Sequence, residues 1–353
     1  MIVDNNRTVL ITGATSGIGL ATASFLASRG FKVYGTYRET SNTTELDQAI
    51  AKSNCMLEKI LMDVTDENSV QQAVNTILSE RKIDIIINNA GYALTGTVES
   101  CTLQEQRKIF DTNFFGVVNV IQAVLPHFRT EGRGQIINIG SVVGIAPFPA
   151  IEIYSASKFA LEGLTESMAV TLSPFNIKVS IVEPGSVRTP AAINQPMGTR
   201  DLGEQNPYAE FHRIADQMCK DSLASGEDPL DLAEFIHDII LVDKPKLRYP
   251  YDEYTIALAA SRYNDPSGSE SVDLQIQQLT ECGLLSTLST PSENPILSNS
   301  ERRSNISDRL SQHNLRLMFS RYFSTVRPEI NRALAISRAV LPVFRYLSTS
   351  FSR

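Results

Sequence analysis

"TVLITGATSGIG", residues 8–19, decides the fold. Its first five residues are apolar or β-branched, the make-up of a buried strand. Gly13, Gly17 and Gly19 crowd the turn that follows, and "GLATASFLASRG" then reads as an Ala/Leu-rich helix closed by Gly30. A strand that passes through a glycine turn straight into a helix builds an anion site. The first N–H groups of the helix have no intrahelical partner, and that end of its dipole is positive. Glycine lets backbone approach a phosphate where any Cβ would hinder it. The spacing here is G-x-x-x-G-x-G, not the commoner G-x-G-x-x-G. The turn is a candidate cradle for a dinucleotide pyrophosphate.

Working outward, strand and helix alternate. The strand-like segments are "KVYGT" (32–36), "LEKILMD" (57–63), "IDIIIN" (83–88), "GQIINIG" (134–140), "IKVSIVEPG" (177–185) and an edge candidate in "KLRYPYDE" (246–253). Helical patterns of crossover length separate them, among them the long "LQEQRKIFDTNFFGVVNVIQAVLPHF" (103–128) and "YSASKFALEGLTESMAVTL" (154–172). Near-continuous apolar strands joined by helices predict an α/β fold: a doubly wound, mainly parallel seven-stranded sheet with helices on both faces, plus a C-terminal extension.

Composition bounds the rest. The 353 residues are 42% hydrophobic and 20% charged, ordinary for a globular chain. The apolar runs read as too short to span a bilayer, and no basic-then-apolar leader opens the chain, so the expected location is cytoplasmic. Cys55, Cys101, Cys219 and Cys282 share no metal-type spacing, so no metal site is expected. The net charge of −7 is unevenly spread. Residues 301–353 carry ten Arg against three acids, a net +7, which leaves the first 300 at −14. Three regions are expected: a folded domain over 1–262, a polar and partly disordered linker over 263–312, and an Arg-rich, partly helical segment over 313–353.

A second stretch bears on chemistry. In "IYSASKF" (153–159), Tyr154 and Lys158 stand four apart, and on a helix both project from one face. A free phenol titrates near ~10 and is a poor base at neutrality; a cation one turn away favours its phenolate. By composition alone such a pair proves little; its company decides.

That company is "TGATSGIG" (12–19), "NNAG" (88–91), Ser141 thirteen residues before Tyr154, "DVTD" (63–66), "NFFG" (113–116) and "PGSVRTP" (184–190). Together, in this order and separation, they resemble the short-chain dehydrogenases/reductases, from about Arg7 to about Ala260. The texture around "PFPAIEIYSASKFALEGL" is most similar to the members acting on 17β-hydroxysteroids and retinols. The resemblance implies a Rossmann-like fold and an oxidoreductase transferring hydride between a nicotinamide cofactor and an alcohol or ketone. It implies Tyr154 as general acid or base, Lys158 as its cation and the ligand of the nicotinamide ribose, Ser141 as the holder of the substrate oxygen, and Asn113 as the anchor of a proton-relay water. Substrate would therefore meet Ser141 and Tyr154. Cofactor contacts would come from Gly13, Thr15, Ser16, Gly17, Ile18 and Gly19 at the phosphates. Asp63 and Val64 would serve the adenine, and Asn89, Ala90 and Gly91 the adenosine ribose. Pro184, Gly185, Val187 and Thr189 would serve the nicotinamide.

The end of the second strand separates the two nicotinamide cofactors. An NAD site usually offers a carboxylate there to the ribose 2′-hydroxyl. This chain has Tyr37 and then Arg38, which can pair with a 2′-phosphate. NADP(H) is expected over NAD(H). "VVGIAPFPAIEI" (142–153) and Tyr92, Ala93 and Leu94 are largely apolar, which suggests a lipophilic secondary alcohol or ketone, with 191–226 as a mobile substrate loop. Members with this site are commonly homo-oligomers. The 313–353 segment, with apolar Leu317, Phe319, Phe323, Ile330, Leu334 and Ile336 among arginines, reads either as an appendage on the acidic body or as a peripheral membrane contact. Nucleic acid is not an expected partner. Two alternatives stand beside the main reading: a cofactor-binding scaffold whose basic tail recruits a membrane or protein, and a reductase of small non-steroidal carbonyls.

Overall fold

The computed structural model describes residues 7–189, 195–203, 206–281 and 284–288. The opening strand, β1 (Thr8–Ile11), is completely buried, as its β-branched run requires, and leads through the glycine turn into α1 (Gly17–Ser28). There follow β2 (Lys32–Tyr37), α2 (Thr44–Lys52), β3 (Leu57–Leu61), α3 (Glu67–Glu80) and β4 (Ile85–Asn88). Next come α4 (Leu103–Phe110), a π-helical turn (Asp111–Phe115), α5 (Gly116–Glu131), β5 (Gly134–Ile139), α6 (Glu152–Leu172) and β6 (Ile177–Glu183). After α7 (Ala209–Ala224) and α8 (Pro229–Leu241), β7 (Arg248–Pro250) closes the sheet.

The seven strands lie in the order β3-β2-β1-β4-β5-β6-β7, every neighbouring pair parallel. The expected sheet is thus present, wholly parallel, with the edge strand where "KLRYPYDE" placed it. Alternate strand residues feed two cores, since successive side chains point to opposite faces. On one face Leu10, Ile86, Ile136, Val179 and Ile181 pack with Val70 and Val74 of α3, Val120, Val124 and Phe128 of α5 and Leu161 of α6. On the other, Val9, Ile11, Val33, Ile87, Ile137 and Val182 pack with Leu26 of α1 and Ile236 and Ile240 of α8. Each fully buried Val, Leu or Ile contributes about 1.5–3 kcal/mol.

Two expectations change. The segment 103–131 is by length and apolar composition enough to cross a membrane, which the reading of short apolar runs missed; Val117, Val120, Ile121, Val124 and Phe128 of this helix belong to the first core. The 263–312 stretch read as linker contains a helix, α10 (Ser269–Glu281). Its start is built locally: Asp265 accepts hydrogen bonds from the Ser267 N–H at 2.9 Å, the Ser267 hydroxyl at 2.6 Å and the Glu270 N–H at 2.9 Å. Ser-rich composition reads as linker, but the same Asp and Ser residues are helix-start signals.

The chain divides into two compact units. One holds residues 1–206 and 212–255, the other 207–211 and 256–353. The expected boundary at 262 falls inside α9 (Glu253–Asn264). The 313–353 segment and its expected membrane contact lie outside the described residues, as does part of the 191–226 loop.

Candidate active site

The candidate residues follow the carboxyl ends of the strands: the glycine turn after β1, Arg38 after β2, Asp63 and Val64 after β3, Asn89, Ala90 and Gly91 after β4, Ser141 after β5, and Pro184, Gly185, Val187 and Thr189 after β6. Connections from β1 and β4, adjacent in the sheet, run to opposite faces, and doubly wound folds open a crevice at such a switch point.

The glycine turn is shaped by close contacts. Gly13 has φ +68° and Gly17 φ +55°, left-handed values that disfavour a side chain. A Cβ on Gly13 would lie 2.9 Å from the Ala90 Cα, and one on Gly19 would collide with the Gly13 carbonyl oxygen and the Asn89 amide. Ser16 is the N-cap of α1 in extended backbone, its side chain makes no capping hydrogen bond, and no acid stands in the first turn. The positive end of α1, with Thr15, Ser16 and Ile18 around it, is thus left to an external anion, as the sequence requires of a phosphate cradle.

Neutral hydrogen bonds hold this turn. The Asn89 side-chain amide donates to the Thr12 carbonyl at 2.9 Å and the Gly13 carbonyl at 3.1 Å. The Thr12 hydroxyl oxygen accepts from the Asn89 and Ala90 N–H groups, both at 2.9 Å. The Thr36 hydroxyl accepts from the Gly13 N–H at 3.0 Å. Sequence reading gave Asn89 to the ribose and overlooked Thr12 and Thr36. The available signal was a threonine closing each of two apolar strands next to glycine.

The remaining cofactor candidates follow β2, β3 and β6. Arg38 is exposed just past β2, its N–H donating to the Ser41 hydroxyl at 3.1 Å. One Asp63 oxygen accepts from the Thr65 N–H at 2.9 Å and hydroxyl at 2.8 Å, a local turn. Val64 is buried against Gly116. Beyond β6, the Pro184 carbonyl accepts from the Val142 N–H at 2.8 Å and the Gly185 N–H donates to Asp252 at 3.1 Å. Val187 bridges to Glu227, and buried Thr189 comes over Gly17, 3.1 Å from where a Cβ would stand. The turn after β6 thus reaches back to the turn after β1.

The catalytic candidates come from three elements. Asn113 sits in the π-helical turn between α4 and α5, 1% exposed. A regular helix read from sequence is interrupted here, in a local geometry common at functional sites. Its amide donates to the Tyr92 carbonyl at 2.9 Å and the Ser157 hydroxyl at 3.1 Å, and its oxygen accepts from the Tyr92 N–H at 3.1 Å. Gly91 stays small because a Cβ there would press on this oxygen at 3.1 Å. Ser141 caps the short 3₁₀ turn after β5. Tyr154 and Lys158 share one face of α6, the Lys158 ammonium 5.9 Å from the Tyr154 ring centroid. Lys158 donates to the Ile139 carbonyl at the end of β5 at 2.8 Å.

The electrostatics differ from the sequence expectation. Burial pushes the Tyr154 phenol up from its ordinary value, and the neighbouring Ser141 hydroxyl pulls the other way. Burial also lowers the Lys158 ammonium to about 8, opposed by Glu162 one turn further along α6. Burial thus brings the ionisation of Lys158 down toward neutrality. The walls beside Tyr154 are apolar: Tyr92, Leu94, Cys101, Ile109 and Ile153 pack with it. Among the described residues no group of three or more His, Cys, Asp or Glu could hold a metal ion.

Comparison with known proteins adds the following. The family model described as short chain dehydrogenase matches residues 7–198. A 3-ketodihydrosphingosine reductase of Bacteroides thetaiotaomicron is 39% identical over 241 residues, 68% of this chain and 86% of that protein. Human 17-beta-hydroxysteroid dehydrogenase type 1 is 36% identical over 274 residues, 75% of this chain and 83% of that protein. Among solved structures, a short-chain dehydrogenase from Streptomyces avermitilis matches with TM-score 0.65 and 32% identity, covering 78% of this chain and 99% of that one.

Proposed function

Starting from the fact that the chain belongs to the short-chain dehydrogenase family, an oxidoreductase family using NAD(P)(H), we propose that it interconverts a lipophilic secondary alcohol and its ketone with NADP(H). The observation that carries the reading is that Ser141 after β5 meets Tyr154, that Lys158 stands over the Tyr154 ring and on the Ile139 carbonyl, and that Asn113 reaches Ser157 on the same helix. The nicotinamide, when bound, supplies or accepts the hydride. The residues do the rest. Ser141 holds the substrate oxygen and Tyr154 moves its proton. Lys158, charged, favours the phenolate and binds the nicotinamide ribose. Asn113, gripped by Tyr92 and Ser157, anchors a relay between Lys158 and solvent. Gly13, Thr15, Ser16, Gly17, Ile18 and Gly19 take the pyrophosphate, and Asp63, Val64, Asn89, Ala90 and Gly91 the adenosine half. Pro184, Gly185, Val187 and Thr189 take the nicotinamide half. Arg38 pairs with the 2′-phosphate, the basis for preferring NADP(H) to NAD(H).

A lipophilic substrate is supported by the apolar wall of Tyr92, Leu94 and Ile153. The names of the two relatives, a 17-beta-hydroxysteroid dehydrogenase and a 3-ketodihydrosphingosine reductase, support it too. In this reading the protein is a cytoplasmic homo-oligomer, residues 1–262 are the catalytic domain, and 313–353 touch a membrane surface. The test is turnover of steroid, retinoid and long-chain keto-alcohol substrates against small carbonyls, with NADP(H) and NAD(H) in parallel. Turnover confined to small carbonyls would replace the substrate class; turnover with NAD(H) alone would replace the cofactor.

A further inference from the structure

The catalytic lysine has acidic company that the reaction does not use. Glu162 follows Lys158 by one turn of α6 and is 6% exposed; Glu183 ends β6 and is completely buried. Arg248, the first residue of β7, reaches both, its Nε 3.1 Å from Glu162 Oε2 and 3.8 Å from Glu183 Oε1. Its other arm holds Glu166 at 2.7 Å on the outer face of α6. One guanidinium thus serves three carboxylates from two elements. Among the described residues, Glu162 Oε1 lacks a hydrogen-bond partner, and Glu183 is served only weakly, by the Tyr249 backbone and by Arg248 at 3.8 Å. An ionised carboxylate sealed from water and short of donors is costly, and two that depend on one guanidinium more so. A carboxylic acid has one O–H to give, and an unpartnered carboxylate oxygen is a place to give it.

We propose that Glu162 and Glu183 form one acid pair that carries a single proton at neutral pH, ionised at Glu162 against Arg248 and neutral at Glu183. In this arrangement Glu162 is the positioning residue that keeps Lys158 charged. The groups facing the pair are Lys158 and Glu166 from α6 and Arg248 from β7; Lys158 in turn faces Glu162 and Tyr154. Burial pushes both carboxyls up: Glu162 only to about 7, because Arg248 and then Lys158 oppose the rise, so of the two it is Glu162 that ionises first. Burial first, and then Glu162, push Glu183 up to about 8, with Arg248 and the Tyr249 backbone opposing. Glu162 is the carboxylate that opposes the fall of Lys158.

The inference rests on the reading of Lys158 as a working cation, so its test has one arm on turnover and one on the protein alone. Glu162→Gln removes the negative charge and keeps the shape. The alkaline limb of the kcat/KM profile then moves to lower pH by about one unit, because Lys158 loses its charge earlier. Glu183→Gln leaves Glu162 ionised with an amide donor beside it, so its limb stays or moves to higher pH. Limbs unmoved in Glu162→Gln, or moved alike in both variants, overturn the role of the pair toward Lys158. The second arm is thermal unfolding against pH without nucleotide. A folded-state value raised above the ordinary glutamate 4.5 gives stability that is complete below that value and lost as pH rises through about 8. Wild type therefore loses Tm relative to Glu183→Gln between pH 5 and pH 9 by this account, Lys158 being common to both. A difference constant over that range overturns the shared proton. This arm stands even if Glu162→Gln does not fold and even if the proposed reaction is wrong.

Discussion

The two sides of the crevice are tied together by different physics. Around Gly13–Gly19 the ties are neutral: Thr12 and Thr36 hydroxyls and the Asn89 amide meet backbone groups, and close contact excludes side chains from Gly13 and Gly19. Around Lys158 the ties are ionisable: Lys158, Glu162, Glu183 and Arg248 are packed within or against the sheet. Neutral bonds give a geometry that does not titrate, which suits a site whose ligand brings its own charge. Buried ionisable groups give a geometry whose charge depends on pH, which suits a site that moves a proton. One crevice therefore separates holding from reacting.

Substitutions can break that separation. The largest effect on the holding side is expected from Gly19→Ala. Its Cβ would meet the Gly13 backbone carbonyl and the Asn89 side-chain amide that braces it, and the carbonyl cannot yield without moving the turn. Nucleotide affinity, read by calorimetry, falls by roughly a hundredfold or more, about 2.7 kcal/mol. Affinity unchanged within threefold would show that the turn does not hold the phosphates. Next is Arg38→Asp, which replaces a phosphate partner by a repelling carboxylate. NADP(H) weakens about ten- to a hundredfold relative to NAD(H), the size of a charge-assisted bond. Unchanged selectivity in the same titration would remove Arg38 from the site. The smallest is Thr12→Val. It leaves the Asn89 and Ala90 N–H groups without an acceptor at about 1–3 kcal/mol of stability, read from denaturant midpoints. Because the lost partner is neutral, this loss stays the same from pH 6 to pH 8. A loss that varies with pH would blur the contrast between the two sides.

Much of the holding side could be read in the sequence, because its signals are local. A β-branched run, a glycine turn and an Ala-rich helix are contiguous in "TVLITGATSGIG", and period-2 and period-3.6 patterns carried the alternation that made the sheet parallel. Tyr154 and Lys158 were readable for the same reason, four apart on one helix. Asn113 came with the family resemblance, inside a stretch read as one long helix; the π-helical turn that locks its amide between Tyr92 and Ser157 was not readable. The Glu162–Glu183–Arg248 cluster was not readable. Its members lie on α6, β6 and β7, and only the pairing of β6 with an edge strand more than sixty residues later brings them together. The direction of the Tyr154 shift was missed for a related reason. Spacing shows that a cation is near, but burial sets the direction and it is the Ser141 hydroxyl that opposes it. α10 was misread because serine and aspartate serve linkers and helix starts alike.

The most direct test of the central claim is Tyr154→Phe, with turnover and nucleotide affinity measured on the same preparation. The substitution removes only the hydroxyl and leaves Lys158 on the Ile139 carbonyl. The account predicts turnover of the best lipophilic alcohol lowered about a hundred- to ten-thousandfold, with the NADP(H) dissociation constant within threefold of wild type. Turnover surviving within a few-fold, at unchanged nucleotide affinity, would contradict it.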